Sequence, residues 1–206
     1  MKRQKLPSIL PLYAADSTIL LPRAQLPILL KKKEDKAALE RAFSEGHRLI
    51  GVIQANPEGG HFQKGCVGRI INFQDGPQIF LTLGGICRFK IEEVLKEKNL
   101  KMAKVCYQGY EKDLDDMSPD PFVDRPRLLT LLKDYLEEQD IMANWDEIDH
   151  ASDDLILNSL SMACPFKPIE KQALLEISSL SERCDMMIAL MEMASPHKRG
   201  RPFMLH

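Results

Sequence analysis

Along residues 65–91, GCVGRIINFQDGPQIFLTLGGICRFKI, apolar and polar positions alternate in short runs separated by glycine. β-Branched and aromatic residues flank Asp75-Gly76, a pair that supplies the positive φ angles of a tight hairpin turn. A second break is expected at Gly84-Gly85. Beyond it Ile86, Arg88 and Lys90 alternate with Cys87, Phe89 and Ile91, the period of a strand. The pattern predicts about three strands, too few to bury a core alone, so other segments have to cover them.

The rest of the N-terminal half supplies the cover. Residues 9–30 contain Leu21-Pro22 and Leu26-Pro27 around apolar runs at 18–21 and 28–30. Proline cannot donate to a ladder, which predicts edge strands or extended loops here. Asp35 is placed to cap a short helix carrying Ala38, Leu39, Ala42 and Phe43, with Gly46 as its stop. Residues 49–54 read as a strand and 56–60 as a loop. After a charged connection at 92–99, Met102, Lys104 and Cys106 alternate with Ala103, Val105 and Tyr107 in a closing strand at 101–110. Residues 111–126 then carry six acidic residues and three prolines, the chemistry of a linker. The expected division is therefore a β-domain at 1–118 and a helical bundle at 119–206.

In the second half the apolar spacing becomes helical. Leu128, Leu129, Leu132, Tyr135 and Leu136 mark a first helix. Ser152 caps a second, which has to end before Pro165. A third, long helix is predicted from Pro168 to about residue 194, with Ile169, Ala173, Ile177, Leu180, Cys184, Met187 and Met191 on one stripe. Each large side chain buried there is worth about 1.5–3 kcal/mol, so the stripe needs a partner surface. The other two helices are the first expectation and a homo-oligomer through this helix the second. The basic tail at 197–206, with Lys198, Arg199 and Arg201, is expected to be solvated.

Composition changes little in this picture. With 206 residues, 44% of them hydrophobic and 28% charged, the chain can form a sizeable core. Its formal net charge of -2 provides no global field toward nucleic acid or an anionic membrane. No run is long and apolar enough to cross a bilayer, and Pro7, Pro11 and Asp16 spoil the N-terminus as a signal peptide. The five cysteines are odd in number and lie in apolar settings, which predicts buried thiols and a cytoplasmic location.

The candidate chemistry is sparse. No phosphate loop, zinc-binding HExxH or nucleophile elbow is present. Cys66, Cys87 and Cys106 fall in predicted strands, where burial blunts reactivity. His47, His61 and His150 are scattered, and Asp113, Asp115 and Asp116 form a carboxylate cluster without the glycine and distal acid of a calcium loop. The expectation is no catalytic residue, no metal and no cofactor.

Taken in order, several segments resemble the N-terminal substrate-binding domain of the ATP-dependent Lon proteases. They are Leu10-Pro11-Leu12, Leu20-Leu21-Pro22, Leu26-Pro27-Ile28, Ile50-Gly51-Val52 and Gly65-Cys66-Val67-Gly68-Arg69-Ile70. Asp75-Gly76, the run from Gly84 through Ile91, the helical EKQALLE at 170–176 and Arg183 complete the series. The resemblance runs from Leu10 to about Met193. It implies an α+β protein: a PUA-like, six-stranded β-barrel-type domain with one short helix, followed by a helical bundle. It also implies a non-catalytic module that binds unfolded or partly apolar polypeptide segments, acting as an adaptor or regulator in proteolysis with a protease or chaperone as partner. The ATPase (AAA+) and Ser-Lys peptidase modules of the full proteases have no counterpart in the sequence, so hydrolysis of ATP or peptides by this chain is not expected. Arg23 stands where the family usually has glycine, and Leu29, Leu30 and the lysines at 31–33 replace an aromatic-acidic exit. The expected peptide-binding surface lies where the proline-broken opening meets the strands: Pro22, Arg23, Gln25, Pro27, Phe62, Arg69 and Phe73. The alternative is an RNA-binding PUA-like protein, which would need Lys31, Lys32, Lys33, Arg69, Arg88 and Lys90 on one face.

Overall fold

The computed structural model describes residues 6–97, 100–115 and 124–194. The basic tail at 197–206 and Asp116, with the middle of the expected linker, lie outside the described residues. The described residues form an α+β structure with a six-stranded mixed sheet and six α-helices.

The strands are β1 (Ile9–Ala15), β2 (Gln25–Leu30), β3 (Leu49–Ala55), β4 (His61–Gln74), β5 (Ile79–Glu97) and β6 (Leu100–Cys106). Their order is β2-β5-β4-β3-β1-β6; β1 and β3 run parallel and the other neighbours antiparallel. The 19-residue β5 also pairs with β6, so the path β5-β4-β3-β1-β6 returns to β5. β2 lies at the end of that order, where Pro27 deprives no second neighbour of a donor.

Two departures from the expected strands have local causes. Gly84-Gly85 does not break β5 but lies inside it, at a register shift opposite Val67 and Gly68. A Cβ added to Gly85 would stand 2.0 Å from the Leu21 carbonyl oxygen, so glycine is needed there for close backbone approach. Asp75 and Gly76 do not take positive φ; the β4–β5 connection is a four-residue loop, 75–78, containing Pro77. The apolar run at 18–21 forms no strand, yet Ile19, Leu20 and Leu21 are almost fully buried.

Helix α1 (Lys33–Ser44) follows β2. Its N-cap is Lys32 rather than Asp35, whose carboxylate instead accepts the Lys32 amide at 3.2 Å. Ala38, Leu39 and Ala42 are buried, and Gly46 past the end has φ 74°. A core on one sheet face combines Ile19, Leu20, Leu21, Leu26, Ile28, Leu39, Ile50, Cys66, Ile70, Leu81 and Leu83. A second, on the other face, gathers Leu10, Leu12, Leu49, Ile53, Val67, Phe89, Ile91, Ala103 and Val105.

The helices beyond are α2 (Arg125–Glu138), α3 (Trp145–His150), α4 (Asp153–Ala163), α5 (Pro168–Glu176) and α6 (Leu180–Ala194). The long helix expected from Pro168 is thus two helices. Residues 177–179 interrupt it, with Ser179 Oγ accepting the Glu182 amide at 3.4 Å and Arg183 donating to the Ile177 carbonyl at 2.7 Å. The single stripe fails accordingly: Ile169 is exposed, and α5 buries Lys171, Gln172, Leu174 and Leu175 instead. Helix α3 escaped the sequence reading because its six residues hold too little periodicity.

Two compact units result. One contains residues 1–117 together with 158–176; the other contains 118–157 and 177–206. In the first, Met162 and Leu175 join the core that also holds Leu20 and Leu83. Asn158 donates to the Pro22 carbonyl at 2.8 Å, Gln172 to the Lys64 carbonyl at 3.3 Å, and Lys64 pairs with Glu176 at 2.8 Å. In the second, α2 packs on α6, and Arg125 donates to the carbonyls of Ile148, Asp149 and Ala151 and to Asp153.

Candidate functional site

Where β2, β5 and β4 lie side by side, their registers place residues in rows across the three strands. Gln25, Gly84 and Arg69 form one row; Pro27, Thr82 and Asn72 the next; Leu29, Phe80 and Gln74 the third. Residues directly opposite in an antiparallel pair present side chains to the same face. On this face Gln25, Pro27, Asn72, Gln74 and Phe80 are exposed and Leu29, Thr82 and Arg69 partly so. The intervening positions, Leu26, Ile28, Leu30, Leu81, Leu83 and Ile70, are buried in the first core. One face is therefore covered and the other open, the usual arrangement of an antiparallel sheet.

The open face carries two exposed large apolar side chains among polar ones. Phe80 is 46% and Ile71 50% exposed. Ile71 alternates with buried Ile70 onto the open side, beside Gly84, where an added Cβ would lie 3.3 Å from an Ile71 methyl; the β-bulge there then keeps Asn72 on the open side and sends Phe73 to the covered one. Farther along the same face Val67, Phe89 and Leu49 belong to the second core, so the open rows continue a surface that is closed over elsewhere.

The structure brings together three of the seven expected binding residues, Gln25, Pro27 and Arg69. The others are elsewhere. Pro22 is buried, its carbonyl bonded to Asn158. Arg23 is half-buried, with its amide on the Gly85 carbonyl and its guanidinium on the Asp115 carbonyl. Phe73 points to the covered side at its rim, in edge contact with the Phe43 ring at 5.6 Å. Phe62 is the second residue of β4, eleven residues before Phe73, about 36 Å away along an extended strand. Phe80 and Ile71 were missed because each reads as one more apolar strand residue, whereas Phe73 was expected on this face because strict alternation with Arg69 leaves no place for the bulge.

The basic face required for an RNA-binding reading does not assemble. Arg88 is only 4% exposed; its guanidinium meets both oxygens of Asp113 at 2.7 and 2.9 Å, donates to the Leu175 carbonyl at 3.1 Å, and lies 4.8 Å from the Tyr110 ring centroid. Asp113 is accordingly a buried structural partner rather than a member of a solvated acidic cluster. Lys32 is engaged by Asp16 at 3.4 Å, and Lys90 sits six residues from Gly84 along β5, opposite Lys64.

Among the described residues no cluster of His, Cys, Asp or Glu could hold a metal ion, and no helix is long and apolar enough to cross a membrane. Cys66, Cys87, Cys164 and Cys184 are buried. Burial pushes the Cys87 thiol up to about 12 and those of Cys164 and Cys184 to about 11, away from the thiolate form a nucleophile needs.

The sequence profile of the ATP-dependent protease La (Lon) substrate-binding domain matches residues 9–193, and the chain belongs to this family. It is 27% identical to the Lon protease of Cytophaga hutchinsonii over 214 aligned positions, covering 93% of the chain and 25% of that protease. With the Lon protease of Flavobacterium johnsoniae it shares 26% identity, covering 89% of the chain and 24% of the relative. It therefore spans about a quarter of the length of these curated relatives. The fold is similar to the N-terminal domain of the Mycobacterium avium complex Lon protease, with a TM-score of 0.69 at 17% identity, covering 89% of this chain and 98% of that one. A Lon N-terminal domain protein from Xanthomonas campestris gives 0.63 at 19% identity, with the same coverage.

Proposed function

We propose that this chain is a non-catalytic polypeptide-binding module that captures exposed, partly apolar segments on the open face of β2, β5 and β4. Membership of the Lon substrate-binding-domain family supports the ligand class. The observation that carries the site is the exposure of Phe80 and Ile71 on the sheet face opposite the one that packs into the first core. An apolar patch on a soluble surface marks an interaction site when its residues are contiguous, and these rows are. Delivery of the captured segment to a protease or chaperone, as an adaptor or regulator in the cytoplasm, extends the same reading. The return of β6 to β5 supports a barrel-type, PUA-like description of the sheet.

Titration of an unfolded model polypeptide against the chain tests the proposal. Micromolar binding is expected, and the double variant Ile71→Ser, Phe80→Ser should weaken it at least about tenfold, since two exposed apolar anchors are lost. An unchanged thermal midpoint would show that the loss is not unfolding. Absence of binding by the parent chain, or equal binding by the double variant, would overturn the assignment of this face.

A further inference from the structure

We infer that the captured segment is held by its backbone, as an added strand on the outer edge of β2; this rests on the polypeptide-binding reading above and specifies how the ligand is gripped. Among the described residues β2 has a single strand neighbour, β5, and pairs with it without a register shift from Gln25 to Leu30. Just before the strand, the Gly85 amide donates to the Ala24 carbonyl at 2.9 Å. Bonded pairs fall at every second residue of an antiparallel ladder, so Leu26, Ile28 and Leu30 turn their amides and carbonyls toward β5. Gln25, Pro27 and Leu29 therefore turn theirs outward. Pro27, which has no amide hydrogen, falls in the outward set, where the ladder loses nothing by it. Among the described residues no hydrogen bond reaches these outward groups; Gln25 and Pro27 are exposed and Leu29 is half-buried. The edge thus offers the carbonyls of Gln25, Pro27 and Leu29 and the amides of Gln25 and Leu29, with successive residues of the set about 6.8 Å apart.

An extended polypeptide matches this row, because its own amides and carbonyls repeat at the same interval. A second copy of β2 matches it poorly. Two copies pairing through this edge would each bring Pro27 and forfeit two bonds of a short ladder, whereas a client segment meets one proline and forfeits one. Proline on an edge guards against self-pairing in this way while its carbonyl still accepts. The opposite edge of the three-stranded patch, residues 71–74 of β4, is shorter and begins at a bulge. An added strand also reaches the open face. Every second side chain of the segment would continue that face beside Gln25, Pro27 or Leu29, and Leu29 lies directly opposite Phe80. The edge accepts any extended sequence, and the face adds the preference for apolar side chains.

The test uses the full chain and a short labelled peptide of alternating Leu and Thr, measured by fluorescence anisotropy beside two versions N-methylated on the Leu amides or on the Thr amides. Only one set of amides can face β2, so one methylated peptide should lose at least about tenfold in affinity and the other stay within about twofold. Pro27→Ala supplies the missing donor and should tighten binding about two- to tenfold. Gln25→Pro removes an outward donor without touching the β2–β5 bonds and should weaken binding, whereas Gln25→Ala, which keeps that donor, should not. Equal loss from both methylated peptides, or from neither, with unchanged affinity in Pro27→Ala, overturns the edge and leaves the polypeptide-binding reading standing. A dimer of the parent chain in sedimentation, dispersed by Gln25→Pro, would give the edge to a second copy and overturn it as well. If no peptide binds below about 100 µM, both readings fall together.

Discussion

Arg23 shows how a residue can be legible as an anomaly before its reason is visible. The family resemblance leads one to expect glycine at this position, and in the fold Arg23 takes φ 65°, in the left-handed region that a side chain with a Cβ rarely adopts. The strain persists because its surroundings hold it: the Arg23 amide bonds to Gly85, Gly85 returns its amide to the Ala24 carbonyl, and the guanidinium ties down Asp115. Arg23→Gly should relax the backbone while losing the guanidinium contact, leaving stability within about 1 kcal/mol of the parent. Arg23→Val loses the contact and keeps the strain, and should cost about 1–3 kcal/mol. Urea unfolding of the two variants measures the difference; equal midpoints would mean that the turn is not constrained. The other residues at this scale divide by type of signal. The buried fate of Cys66, Cys87, Cys164 and Cys184 followed from their apolar neighbours. The pairing of Arg88 with Asp113, 25 residues apart, left no mark in local pattern.

At the scale of elements, period and punctuation read well where one face of an element is buried and poorly where partners change along it. Helices α2 and α4 follow the apolar spacing visible in the chain, α1 follows it in its buried Ala38, Leu39 and Ala42 though not in its cap, and the strand at 49–55 reads from a continuous apolar run buried on both faces. In β5 the Gly84-Gly85 pair reads as a break because glycine weakens strands, yet here it permits close approach to Leu21. Helices α5 and α6 read as one because proline opens the run and no proline closes it; Ser178 and Ser179 end it quietly instead. The open face was half legible for a similar reason. Gln25, Pro27 and Arg69 stood out as polar or proline positions, whereas the side that Phe73 takes depends on a bulge and that of Phe80 on a register that only pairing defines. The interruption also changes what a charge should do. Ile177 is half-buried in the break, while Leu175, two residues earlier in α5, is 1% exposed in the first core. Leu175→Glu should therefore cost about 3–5 kcal/mol, and Ile177→Glu about 1–2. Chemical denaturation separates the two; equal costs would mean that Ile177 is packed as deeply as Leu175.

Across the whole molecule, the same burial that makes the thiols poor nucleophiles couples stability to alkaline pH. Cys87 is pushed up to about 12 by burial and Cys164 and Cys184 to about 11, from an ordinary value near 9, and Cys66 moves the same way. A group whose pKa is higher in the folded state contributes stability that is complete below its unfolded pKa. Above about 9 the unfolded chain releases thiol protons that the folded chain keeps, so stability falls as pH rises toward the folded values. Each such thiol adds a slope of about 1.4 kcal/mol per pH unit within that window. Lys171 acts oppositely. Burial lowers its pKa, where its ammonium has the Met162 carbonyl at 2.7 Å as hydrogen-bond partner, so its contribution rises with pH until the unfolded lysine also loses its proton near 10.5. Four thiols against one lysine leave a net loss. Urea midpoints should hold steady from about pH 7.5 to 8.5 and decline steeply between about 9 and 10.5. Cys87→Ala should flatten that decline by roughly one thiol's slope even if it lowers stability at pH 8 through the space it leaves. A midpoint independent of pH across the window would mean that the thiols ionise within the folded protein, and with it the argument that they lie sealed in its cores would fail.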